Sequence, residues 1–234
     1  MVVSIFIGGF SMCGRYTITV TEEELMLRFM LESSTPFYEP RYNVAPGQMV
    51  PAIINNGAQN KLGQLRWGLI PSWAKDAKIG YTMINARVET IADKPAFRTS
   101  LRSKRCIIPA DGFYEWKLTE DGKQPMRIVK RTGQLFAMAG LYDTWVSPEG
   151  DKISSCTIIT TVPNKTMAGI HDRMPIILRK QDEAAWLDRS IQDVNLLQSL
   201  IGQPYPDEEL RVYPVTKAVG NVKNDSPDNI KEVS

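Results

Sequence analysis

Met49 to Ile70 reads MVPAIINNGAQNKLGQLRWGLI. Two apolar runs, Met49 to Ile54 and Leu62 to Ile70, flank Asn56-Gly57, a dipeptide that tolerates the positive φ angles of a tight turn. The segment therefore predicts paired strands. Strand-like runs recur at 104–108, 125–130, 135–142, 154–161, 175–178 and 210–215. Helical patterns fit 163–170, 181–188 and 192–201. Thr21 and Glu24 make a capping box ahead of Leu25, Leu27, Phe29, Met30 and Leu31, which predicts one early helix of about three turns. Arg41 to Gly47 reads as a loop, and the polar stretch from Asn224 to Ser234 is expected to fray at its end.

Strands dominate and do not alternate regularly with helices, as a parallel doubly wound sheet requires. The expected fold class is α+β: a single domain with a largely antiparallel, barrel-like β-sheet and flanking helices. No Gly/Ser-rich or Pro-rich linker divides the 234 residues, and 43% hydrophobic content suffices for a substantial core.

Composition narrows the function. The formal net charge is +2, so the chain lacks the strongly basic balance of a duplex-DNA binder, and any nucleic-acid surface is a local groove. Three cysteines form no CxxC pair, and one histidine leaves a zinc site short of partners; no metal and no cofactor are expected. Cys106 and Cys156 lie in strand-like runs and read as small buried hydrophobes. No apolar run approaches the ~18 residues of a membrane span. Residues 1–11, MVVSIFIGGFS, are apolar but carry no Lys or Arg, and bulky Met12 does not suit a signal cleavage site. They read as a leader or an upstream mis-start, with the domain running from 12 to 234.

With Met12 as a removed initiator, Cys13 presents an α-amine and a thiol on adjacent carbons. Such a 1,2-aminothiol traps aldehydes: the amine forms an imine, and the thiol closes a five-membered ring. A plain buried cysteine is the alternative. His171, the sole histidine, follows a short helix-like stretch and precedes an apolar strand; it is either a proton-transfer group or structural. Glu115 stands among Phe113, Tyr114 and Trp116, where an apolar setting raises a carboxyl pKa; a salt-bridged core acid is the alternative. Asn85, Arg87 and Glu89 alternate along an apparent strand, either lining a site or facing solvent. Arg15, Arg41, Arg66, Arg87 and Arg173, with Trp67, Trp73 and Lys75, supply cations and rings suited to unpaired nucleic acid. Of the two indoles, Trp67 reads as core and Trp73 as surface.

Met12-Cys13-Gly14-Arg15-Tyr16, Arg41 to Pro46, Trp67 to Pro71, Asn85 to Thr90, Pro109 to Trp116, His171 to Pro175 and Val219 to Asn224, in this order, resemble the SOS response-associated peptidase (SRAP) family. The resemblance spans residues 12 to about 230 and implies covalent capture of abasic sites in single-stranded DNA, with lyase-like character and self-processing peptidase activity. It implies Cys13 as the crosslinking residue, Asn85 as a sugar-positioning group, and Glu115 and His171 as an acid–base pair. Arg15, Arg87 and Arg173 resemble phosphate contacts, Pro46 and Trp73 parts of a wedge against duplex, and Thr160 a backbone contact. A monomer in a bacterial-type cytoplasm, bound to damaged DNA, is the expected state. The residues before Cys13 depart from the family pattern. Two other classes stay open: a cysteine peptidase or N-terminal-nucleophile hydrolase, which turns over peptides, and a non-catalytic reader of modified bases, which tolerates a blocked Cys13 amine.

Overall fold

The computed structural model describes residues 13–32 and 38–233; the leader and Met12 lie outside them. Two sheets form the body. The first contains β1 (Tyr16–Ile18), β2 (Arg41–Val44), β7 (Gly112–Thr119), β8 (Gly122–Lys130) and β12 (Leu210–Pro214). Its order is β12-β8-β7-β1-β2, antiparallel throughout.

The second contains β3 (Met49–Asn55), β4 (Asn60–Trp67), β6 (Arg105–Ala110), β9 (Phe136–Val146) and β10 (Lys152–Thr161). Here β4 pairs β3, β3 pairs β6, β6 pairs β9, β9 pairs β10, and β10 returns to β4. The ring is closed, so the expected barrel is present; the β4–β10 pairing is parallel in an otherwise antiparallel ring. Two short strands, β5 (Asn85–Arg87) and β11 (Met174–Pro175), attach to β10 beyond its contact with β4. Aromatic contacts join the sheets: the Tyr16 and Trp67 rings lie 5.5 Å apart, and those of Phe113 and Phe136 6.0 Å apart.

Local chemistry explains the helices. Thr21 accepts from the Glu24 amide at 3.2 Å while the Glu24 carboxylate accepts from the Thr21 amide at 2.8 Å, completing the capping box that starts α1 (Glu22–Phe29). The helix is shorter than expected because Met30 adopts a left-handed conformation (φ 52°) and its amide closes the last turn. The helix α2 (Arg98–Ser103) has no side-chain N-cap, and so left no start signal. The remaining helices, α3 (Lys165–Ala168), α4 (Glu183–Leu187) and α5 (Val194–Ile201), sit inside the expected spans but are shorter.

Three expectations need correction. Arg41–Val44 is a strand, paired with β1. Glu89 lies beyond β5, which ends at Arg87, so the alternation holds for Asn85 and Arg87 alone, the first buried and the second exposed. The C-terminal segment up to Val233 is docked: the Asp225 carboxylate accepts from the Tyr42 amide at 2.6 Å and pairs with Arg41, Asn229 is fully buried, and the Val233 amide donates to the Pro214 carbonyl at 3.0 Å.

Gly68, at the end of the Met49–Ile70 segment, has φ +131°, and a Cβ there would meet the Gly80 carbonyl oxygen at 2.6 Å. Backbone lies against backbone, so nothing flexible yields. Gly68→Ala is expected to destabilise the fold by at least about 2 kcal/mol in urea unfolding; an unchanged midpoint would contradict this close approach.

Candidate active site

Cys13 precedes β1, and Glu115 sits on the neighbouring β7. Both are 1% exposed. The Glu115 carboxyl faces the Cys13 backbone N–H and thiol, while its buried Oε1 has no hydrogen-bond partner among the described residues. Burial pushes the Glu115 pKa well above the usual carboxylate range, with the hydrogen bonds from Cys13 opposing it. Burial also raises the Cys13 thiol, and the neighbouring Glu115 adds to that rise. Burial thus biases both groups of the site toward their protonated forms.

The barrel supplies the other half. Ile158 of β10 pairs with Asn85, and the Asn85 side-chain amide donates to the Cys13 carbonyl at 3.2 Å. The Trp67 indole donates to the Ile84 carbonyl at 2.8 Å, fixing the approach to β5. His171 follows α3, whose Asn164 cap accepts from the Met167 amide at 2.9 Å. His171 Nε2 lies 4.0 Å from Glu115 Oε2. That is too long for a direct hydrogen bond, but both groups can reach one substrate oxygen. On its other side, His171 Nδ1 accepts from the Arg173 amide at 3.1 Å, with Asp172 Oδ1 at 3.0 Å.

Glu115 and His171 open into a cleft of about 760 Å³, lined also by Arg15, Trp116, Lys123 and Ile170. Arg15 Nη1 donates to Asn43 Oδ1 and to the Val219 carbonyl, each at 2.8 Å, and the guanidinium carbon lies 5.8 Å from the Trp116 ring centroid. Arg173 is 6% exposed and paired with Glu89. Thr160 is fully buried in β10, and its carbonyl accepts from Arg173 at 2.7 Å. The fold thus gathers Cys13, Asn85, Glu115 and His171 into one cluster, with Arg15 at the cleft and Arg173 behind His171. Pro46 and Trp73 are not among the residues lining the cleft. Pro46 is half-buried in the turn after β2. Trp73 is 58% exposed on the Pro71–Ala74 turn, which the Asp143 carboxylate and the Trp145 indole hold in place.

Two supports escaped sequence reasoning. Asn43 is fully buried and donates to the carbonyls of Val219, Asn221 and Asn224, tying the C-terminal segment to β2 beside Arg15. Its only signal was a polar residue among the apolar positions of a family block. Arg127, opposite Tyr114 on β8, reaches Asp111, Thr17 and the Tyr213 hydroxyl beneath β7. Nothing in its local sequence distinguishes it from a surface arginine. Among the described residues, no group of three His, Cys, Asp or Glu is arranged to hold a metal ion, and no helix is long and apolar enough to cross a membrane.

The family model of the SOS response associated peptidase (SRAP) matches residues 12–222. The chain belongs to this family. Among its relatives, Abasic site processing protein YoqW of Bacillus subtilis (strain 168) is 52% identical over 94% of this chain and 99% of its own length. Abasic site processing protein YedK of Escherichia coli (strain K12) is 33% identical over 95% of this chain and all of its own. Abasic site processing protein HMCES of Xenopus tropicalis is 35% identical over 82% of this chain and 65% of its own. A crystal structure of a protein from Bacteroides thetaiotaomicron matches the fold with a TM-score of 0.86 at 27% identity, covering 95% of this chain and all of that one.

A carboxyl whose folded pKa exceeds its unfolded value of about 4.3 binds more protons in the native state, so its contribution to stability falls as pH rises above that value. Glu115→Gln removes this loss. In urea unfolding, the variant is expected to gain on the wild type progressively from pH 4 to pH 7.5; a gap that does not change with pH would contradict the raised Glu115 pKa.

Proposed function

We propose that the protein covalently captures abasic sites in single-stranded DNA, using the α-amine and thiol of Cys13 in a chain that begins at that residue. One observation carries this proposal: the buried Glu115 carboxyl faces the nitrogen and the sulfur of Cys13, with His171 Nε2 4.0 Å from its Oε2 and Asn85 bonded to the Cys13 carbonyl. In a chain starting at Cys13 that nitrogen is the α-amine, so a single carboxyl reaches both atoms that would bond to the sugar. The relatives, named as abasic site processing proteins, point to the same lesion.

The chemistry follows from proton placement. The abasic sugar interconverts between a closed hemiacetal and an open aldehyde. As the sugar opens, His171 donates from Nε2 to the ring oxygen and the proton of the C1 hydroxyl returns to Nε2 through solvent, so the imidazole ends as it began. The amine of Cys13 adds to the aldehyde carbon, Glu115 supplies the proton that lets the hydroxyl leave as water, and an iminium ion remains. The thiol gives its proton to Glu115 as sulfur bonds to the same carbon, which closes the thiazolidine and returns the acid to its starting state. One water is released, and no metal or cofactor is required. Asn85 orients the nascent hydroxyl or amine. Arg15, Arg87 and Arg173 meet the phosphates, Pro46 and Trp73 part the duplex, and Thr160 contributes through its backbone. The capped lesion is shielded from strand cleavage and error-prone copying. The protein acts as a monomer in the cytoplasm, and removal of the residues before Cys13, by initiation at Met12 or by self-processing, precedes the reaction. A peptidase acting on other chains fits less well, because a thiolate nucleophile at rest conflicts with a thiol held protonated by burial.

An oligonucleotide with one abasic site tests the proposal on a denaturing gel. Protein initiated at Met12 is expected to give a denaturation-resistant band, and Cys13→Ala none. A Cys13→Ala band of undiminished yield would sink it, as would full-rate coupling by protein shown by mass to retain residues before Cys13. Glu115→Gln is expected to slow crosslink formation or reversal by at least about tenfold while DNA binding persists; unchanged rates in both directions would remove Glu115 as the proton shuttle.

A further inference from the structure

We propose that Glu89 is a positioning residue for His171: it pins the Arg173 guanidinium, and the pinned Arg173 main chain holds His171 in the tautomer that presents Nε2–H to Glu115. For its kinetic consequence, the inference rests on the function proposed above.

Three hydrogen-bonded links connect the two residues. Arg173 Nη1 and Nη2 donate to the two Glu89 oxygens at 2.7 and 2.9 Å, the bidentate geometry in which a guanidinium is held most firmly. The Thr160 carbonyl, near the end of β10, then accepts from Arg173 Nη2 at 2.7 Å and from the Val88 amide at 3.0 Å. Glu89 and Arg173 thereby lock the chain leaving β5 to the chain entering β11 across one oxygen. Finally, the Arg173 amide donates to His171 Nδ1 at 3.1 Å. A ring nitrogen that accepts carries no proton, so the neutral imidazole places its proton on Nε2, the atom facing Glu115.

The competitor is adjacent. Asp172 Oδ1 lies 3.0 Å from the same Nδ1, and a ring protonated there would donate to it instead. The Asp172 side chain is 70% exposed, so solvent weakens that pairing. The Arg173 amide prevails while Arg173 stays in place. Removal of Glu89 frees the guanidinium, leaves a nine-tenths buried cation with only the Thr160 oxygens, and loosens the turn that carries the amide. A purely stabilising ion pair would lower the melting temperature without changing which imidazole nitrogen bears the proton.

The protein's one histidine makes the test direct, since its ring ¹⁵N signals need no assignment. In the full chain without DNA, the wild type is expected to show the Nε2–H tautomer. Glu89→Ala is expected to shift the ring nitrogens toward a mixture of both tautomers, and Glu89→Gln, which retains an acceptor for Arg173, to lie between. A wild-type ¹⁵N pattern in folded Glu89→Ala overturns the proposal; should that variant not fold, a wild-type pattern in Glu89→Gln does so. On the abasic oligonucleotide at saturating concentration, Glu89→Ala is expected to lower the maximal crosslinking rate about tenfold. A full maximal rate with only the half-saturating concentration altered overturns it. Absence of crosslinking by the wild type would refute the proposed function alone, and the tautomer measurement would then decide the fate of the Glu89 assignment by itself.

Discussion

A buried carboxyl facing the nitrogen and the sulfur of one residue is the constraint on which the site depends. Glu115 lies where water cannot stabilise its charge, so it holds its proton to a higher pH than an exposed glutamate does. Cys13 is equally buried, and its thiol stays protonated for the same reason. Neither group reacts until something changes the solvation or the charge around them. A bound sugar aldehyde does so by presenting a carbon to the amine and an oxygen to the acid, and the low polarity of the site then strengthens each proton transfer.

Topology explains how distant segments reach this point. Cys13 and Glu115 belong to neighbouring parts of the antiparallel sheet, whereas Asn85 and His171 belong to segments attached to β10 of the barrel. One half of the site therefore comes from each sheet, and the packed rings of Tyr16 and Trp67 set the spacing between them. The C-terminal segment acts as a third element. Asn43 and Arg15 tie it down, and Gly220 lines the cleft.

Much of this was legible in the sequence, for reasons that differ from residue to residue. The hairpin around Asn56-Gly57 was readable because two short apolar runs and the turn dipeptide between them are local signals. The strand Gly112–Thr119 was not, since Phe113, Tyr114 and Glu115 are all buried between β1 and β8 and show no alternation of polarity. Cys13, Asn85, Glu115 and His171 stood out as residue types, yet only the ordered family blocks joined them, because no spacing rule connects positions on different sheets. Glu89 was visible merely as one polar residue in a row. Its role depends on Arg173, far away in sequence, and on a carbonyl that no sequence displays. The docked C-terminus escaped for a related reason: its partners are backbone oxygens and amides of other strands, so polar composition was mistaken for solvation.

The most direct measurement is peptide mass spectrometry of the crosslinked species, digested after treatment with borohydride and iodoacetamide. A thiazolidine predicts the sugar remnant on the peptide beginning at Cys13, formed with loss of one water, not reduced by borohydride, and with a sulfur that iodoacetamide cannot alkylate. A remnant on lysine, or on a Cys13 peptide that takes up hydride or retains an alkylatable thiol, would contradict the joint use of amine and sulfur.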